Sequence, residues 1–215
     1  MALVAAGCST NTPTPVAADP YLITLPKGDA GVSYYVYLLA IAQATLYQKV
    51  VDAPPADLIA AERAIFADLR DHEVIYREVL RYNIDPTATV LLLPTDFLFN
   101  LKSFTLTTRA GVLAAASQLE DLVTAAYPVV LTLLANTKGT LLRDLLLKMA
   151  TVHARHAAAV RDLLTPGSFA NNDVVETAGT LAGQIRPKTP TEVVAALAPY
   201  FAPYVISVTN LAVPV

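Results

Sequence analysis

Apolar positions recur at helical spacing along four long stretches of this chain, and each stretch ends on residues that stop a helix. The first, 32–51, opens on Tyr34, Tyr35 and Tyr37. It is ended by Asp52-Ala53-Pro54-Pro55, because proline has no amide hydrogen with which to continue the ladder. In the second, 57–82, Leu58, Ile65, Leu69, Val79 and Leu80 mark the side that seeks a core, with Asn83 as C-cap and Pro86 beyond it. The third, 108–136, is rich in alanine and carries Pro128 in its middle, which predicts a kink. Lys138-Gly139 reads as a tight turn into the fourth, 140–164, which Thr165-Pro166-Gly167 closes. A shorter fifth helix is expected from 191 to about 201.

The links between these helices set the architecture. Helices one and two, and helices three and four, are joined by short connections and so run antiparallel. Residues 84–107 form a long crossover between the pairs, with Leu91-Leu92-Leu93-Pro94 and Phe97-Leu98-Phe99 apolar enough to pack on the bundle. The expected fold is all-α: a four-helix bundle over 31–164, with a Thr/Pro/Ala-rich extended arm over 1–30 before it. A polar loop, the short helix and a β-branched apolar tail from Tyr204 onward make up 165–215.

Composition sharpens this picture. Hydrophobic residues are 54% of the 215, and charged residues only 15%, against about 25% in an ordinary soluble domain. A large core follows, together with either bland outer faces or surface covered in an assembly. The two arms are suited to self-association or to docking on other subunits by strand addition. A net charge of −3 without any Lys/Arg cluster argues against nucleic acid as a partner. No uncharged, proline-free apolar run reaches the roughly 18 residues of a membrane span. The single cysteine, Cys8, follows Leu3-Val4-Ala5-Ala6-Gly7 in the manner of a lipoprotein signal, although the basic leader is missing and the apolar part is short. This gives two readings: a lipid anchor at Cys8 on an extracytoplasmic protein, or an ordinary thiol in an arm. One cysteine excludes a disulfide framework within the chain.

The residues able to carry chemistry are few. Two of the three histidines, His153 and His156, stand three apart on the fourth helix and can share a face. Glu73 and Glu120 lie in mid-helix, Glu120 in an almost entirely apolar stretch and Glu73 among the polar Asp68, Arg70, Asp71, His72 and Arg77. A carboxylate turned into a core needs a partner, a hydrogen bond or a metal ion. The alternatives are that the glutamates sit on a solvated edge beside Asp71 and Asp121, and that the histidines are a hydrogen-bonded core pair. The tyrosines Tyr34, Tyr35, Tyr37 and Tyr47 read as packing. There is no glycine-rich phosphate loop and no Gly-x-Ser-x-Gly, and Cys8 is remote from every histidine, so no catalytic residue is assigned.

Segments 38–47, 72–80 and 97–104, Leu119-Glu120-Asp121 with Ala125-Ala126-Tyr127, and 153–161 together resemble the secreted ferritin-like family that includes bacterial ferritin-like domain proteins and plant desiccation-related proteins. The resemblance implies a ferritin-like bundle whose two metal ions are held by four carboxylates and two imidazoles. Taken position by position, Gln43 stands where that set has its first Glu, and Tyr76 stands where it has a His. His153 replaces another Glu, while Glu73, Glu120 and His156 are kept. Two carboxylates cannot both neutralise and bridge two divalent ions, so a dinuclear oxidase centre is not expected. The first reading is an eroded site, without enzymatic activity, in a structural or binding module that could be an assembly subunit. The alternative is one Fe, Mn or Zn ion on Glu73, Glu120, His153 and His156, in a protein that handles oxidants or stress.

Overall fold

The computed structural model describes residues 19–87, 92–134 and 141–211. Within them lie α1 (Gly28–Asp52), α2 (Ala60–Ile84), α3 (Arg109–Leu133), α4 (Leu141–Leu164) and the shorter α5 (Pro190–Phe201). Two three-residue strands, β1 (Leu22–Thr24) and β2 (Val205–Ser207), bracket them in the chain. The expected arm over residues 1–18, Cys8 with it, the Lys138-Gly139 turn and the last four residues of the tail lie outside the described residues.

The four long helices form the expected bundle. α1 packs on α2 and α3, α3 packs on α4, and the ring closes loosely between α4 and α2. Each helix turns inward a seam whose members alternate three and four residues apart, the spacing that keeps one stripe facing the neighbours. On α2 the seam is Glu62, Phe66, Leu69, Glu73, Tyr76 and Leu80; on α4 it is Leu142, Leu146, Met149, His153, His156 and Val160. On α3, Ala116, Glu120, Val123, Tyr127 and Val130 follow the same rhythm, as do Leu39, Gln43, Leu46 and Val50 on α1. α1 is apolar almost all round and is buried on nearly every side, the central position such a helix needs.

Some boundaries and faces differ from those expected. α1 starts at Gly28, earlier than 32. α2 runs from Ala60 to Ile84, so Asn83 lies in its last turn, where its amide donates to Ser33 Oγ at 3.1 Å. Asp57 stands before α2 and accepts from the Arg109 amide at 2.8 Å. Val79 points outward, because the true seam steps from Tyr76 to Leu80. α3 continues through Pro128. The proline removes one ladder donor there, and the nearby Ala125 carbonyl accepts from the Lys188 amide at 2.8 Å.

Three ties hold the bundle to its decorations. Glu62 Oε1 accepts from Arg109 Nε at 2.8 Å, and Arg109 also donates to the Leu163 carbonyl at 3.0 Å, so the starts of α2 and α3 are pinned to the end of α4. Arg109 draws the Glu62 carboxyl below its ordinary range. Arg161 is buried on α4 and bridges Asp121 on α3 to Asp173 at 2.7 Å, which anchors the loop that follows α4. In the crossover, Phe97 and Phe99 are buried against Phe201 and Tyr200, and Phe104 stacks on Tyr200 with ring centroids 4.7 Å apart.

The tail is extended, as expected, but it does not stand free. β2 pairs in parallel with β1 in the register Ile23↔Ile206, and both isoleucines are buried. Asn210 Nδ2 then donates to the Leu25 carbonyl at 2.8 Å. Gly31 makes this docking possible: a Cβ there would lie 1.9 Å from the Pro26 carbonyl and 2.9 Å from Leu211 Cδ2. Among the described residues no helix is long and apolar enough to cross a membrane. Because the tail is part of the folded unit, Ile206→Ala is expected to lower stability by about 2–4 kcal/mol in urea denaturation. A loss indistinguishable from zero would mean that the tail is not docked.

Candidate metal centre

The seams of α2, α3 and α4 converge on four buried side chains. Glu73 and Glu120 are each 0% exposed, His153 2% and His156 7%. One ligand atom from each lies within 4.8 Å of the others. Both imidazoles present Nδ1 to the carboxylates: His153 Nδ1 is 3.4 Å from Glu120 Oε2 and 3.6 Å from Glu73 Oε1. His156 Nδ1 is 3.4 Å from Glu73 Oε1 and 3.6 Å from Glu120 Oε1. Among the alternatives the sequence left open, the structure therefore turns all four groups inward.

These spacings are long for hydrogen bonds. They match the roughly 3.4 Å between neighbouring ligands that sit about 2.1 Å from a shared tetrahedral ion. Among the described residues, both oxygens of Glu73 and the Nδ1 of His156 have no hydrogen-bond partner. Buried polar atoms are rarely left so. The donor set, two imidazole nitrogens and two carboxylates, suits zinc, iron or manganese. Two negative carboxylates and two neutral imidazoles also balance one divalent ion, which matters where a net charge would be costly.

The positions that resemblance marked as substituted are close by. Gln43 is fully buried on the α1 seam, and among the described residues neither polar atom of its amide has a partner. Tyr76 lies with its ring 5.5 Å from that of His153. Two further residues escaped the reading of the sequence. Tyr47, read there as packing, donates its hydroxyl to Glu120 Oε1 at 2.5 Å, and it sits one turn after Gln43 on α1. His72, the third histidine, places Nδ1 3.0 Å from His156 Nε2. Tyr127 stacks on His153, with centroids 5.2 Å apart. The adjacency of His72 to Glu73 was the one available signal for it. For Tyr47 the signal was its place one turn from the substituted Gln43.

The electrostatics follow from burial and pairing. For Glu120, burial works against ionisation, but contacts with His153 and His156 outweigh it and draw the carboxyl down to about 2. Glu73 has no donor hydrogen-bonded to it, and burial holds it above its ordinary value despite the two imidazoles. Burial opposes protonation of His156, yet Glu120 and Glu73 lift it to about 9; His153 is raised for the same reason, through Glu73 first. Tyr47 is pushed up by burial and then by Glu120, so its phenol stays a donor.

The family model described as a ferritin-like domain matches residues 28–166. No curated protein and no solved structure matches the chain.

Without metal, both imidazoles have a folded pKa above their ordinary 6.5. Their stabilising contribution is full below that value and is lost as pH rises through the raised values, about 9 for His156. The urea midpoint of metal-free protein is therefore expected to fall between about pH 7 and about pH 10, and His156→Gln is expected to flatten the fall. A flat wild-type midpoint across that range would sink the pairing of these imidazoles with the carboxylates.

Proposed function

This chain belongs to the ferritin-like domain family, and we propose that it works as a mononuclear member of it, holding one divalent transition-metal ion on Glu73, Glu120, His153 and His156. The observation that carries the reading is the convergence of four buried ligand atoms around Glu73 oxygens that have no hydrogen-bond partner. Gln43 and Tyr76 support one ion over two. With an amide and a phenol at those positions, a second divalent ion would leave uncompensated positive charge in the core. Iron or manganese bound here would supply one-electron chemistry toward oxidants, and zinc would supply Lewis acidity or a structural link between α2, α3 and α4.

The chain's own residues divide the remaining work. Tyr47 donates to Glu120 and leaves that carboxylate fixed in one orientation. Tyr127 and Tyr76 flank His153 and keep the centre dry. The eroded-site reading keeps one specific support: the raised imidazoles and the depressed Glu120 can compensate each other as buried ion pairs. On that reading the cluster is a relic inside a structural or binding module.

Export and a lipid anchor at Cys8 are part of the proposal and rest on the sequence around Cys8; membership of the secreted branch of the family is part of it too and rests on the resembling segments between residues 38 and 161. Assembly through the ends of the chain is supported by Tyr21, Leu22 and Val205, which stay exposed beside the paired strands.

Elemental analysis of purified protein, and of apoprotein offered Fe(II), Mn(II) or Zn(II), separates the two readings. Close to one ion per chain is expected, lost in the His153→Ala, His156→Ala double variant while circular dichroism still reports a helical fold. Wild-type protein that is folded and takes up none of the three ions would leave only the relic.

A further inference from the structure

His156 has two ring nitrogens, and they face different surroundings. Nδ1 is turned to Glu73 Oε1 at 3.4 Å and Glu120 Oε1 at 3.6 Å. Nε2 is turned the other way, to His72 Nδ1 at 3.0 Å, with the two rings within 3° of parallel and their centroids 5.2 Å apart. His72 itself is exposed. Two nitrogens at that distance are hydrogen-bonded only if one carries the proton and the other a lone pair.

We propose that His72 is a positioning residue for the metal centre: its Nδ1 accepts the proton of His156 Nε2, which holds that proton outward and leaves the Nδ1 lone pair of His156 aimed at the two carboxylates. The proposal rests on the mononuclear reading for its purpose, though the hydrogen bond itself does not. A neutral imidazole can bind a metal through one nitrogen only if the other keeps the proton, and the partner of that second nitrogen decides which is which. In the opposite tautomer His156 would point an N–H at the ion, and ligation would fail.

The placement of His72 makes it suited to this. It precedes Glu73 on α2, so a single turn of that helix supplies one ligand directly and orients a second ligand on α4. α2 and α4 are the neighbours that pack least closely. Across that seam the outward nitrogen of His156 is met by His72. The sequence separation of the two histidines, 84 residues, means that only the closed bundle creates the pair.

The test uses the full chain with zinc as the probe. In ¹⁵N-histidine NMR of the metal-free wild type, a nitrogen–nitrogen coupling across the hydrogen bond between His156 Nε2 and His72 Nδ1 is expected. Zinc-loaded protein should show His156 protonated at Nε2. His72→Phe, which keeps the bulk and removes the acceptor, should weaken zinc binding by about 10–100-fold in a chelator competition, with its urea midpoint unchanged. His72→Gln restores a carbonyl acceptor and should return affinity to within about threefold of wild type. Unchanged zinc affinity in His72→Phe, an absent coupling, or a proton on His156 Nδ1 in the loaded protein would each overturn the proposal. Wild-type protein that binds no zinc would count against zinc as the ion of the mononuclear reading, and the coupling alone would then decide the role of His72.

Discussion

Two carboxylates with no access to water must find positive charge, and the centre of this bundle is arranged around that need. Glu73 and Glu120 come from different helices and are fully buried. Left alone they would repel each other and take up protons. The only imidazoles within reach belong to His153 and His156, and both turn the same nitrogen toward the pair. Either these rings carry protons and act as cations, or they stay neutral and a metal ion supplies the charge. Both solutions use the same atoms, so a binding site and a self-compensating core can be a single arrangement in two states.

The asymmetry between the two carboxylates belongs to the same argument. Glu120 accepts from Tyr47 and lies close to both imidazoles, and it is the stronger acid. Glu73 lies among the same imidazoles without a hydrogen-bonded donor, and burial dominates it. A group left in that condition is the one that gains most from an ion. Gln43, buried on α1 one turn from Tyr47 and with both amide atoms unpaired among the described residues, adds a neutral dipole and no charge to the core. On the proposed mononuclear reading, the amide of Gln43 and the phenol of Tyr76 keep the charge of the interior matched to a single divalent ion.

Outside the centre, charge is used to hold elements together. Arg109 ties the starts of α2 and α3 to the end of α4, and Arg161 ties the following loop to α3. The parallel pairing of β1 with β2 closes the chain on itself around α1. These ties hold the ends of α2, α3 and α4 against one another, and the four candidate ligands lie on those same helices, midway along. A rigid frame of this kind holds ligands without the help of local loops.

Much of this was legible in the chain before folding. Helical periodicity and proline stops determined four long helices, and the lengths of the links determined their pairing, because both are local properties. Glu73, Glu120, His153 and His156 stood out because charged or imidazole side chains interrupt apolar stripes. What local pattern could not decide was which neighbours those stripes meet. Tyr47 reaches Glu120 across 73 residues, His72 reaches His156 across 84, and the tail finds β1 across the whole domain. Val79 and Leu80 are equally apolar in sequence, and only the angle at which α2 meets its neighbours buried one and exposed the other. A helix period states that a face exists; the hydrogen-bond partners and the burial of that face are set when separate helices close on each other, and that is a property of the tertiary structure alone.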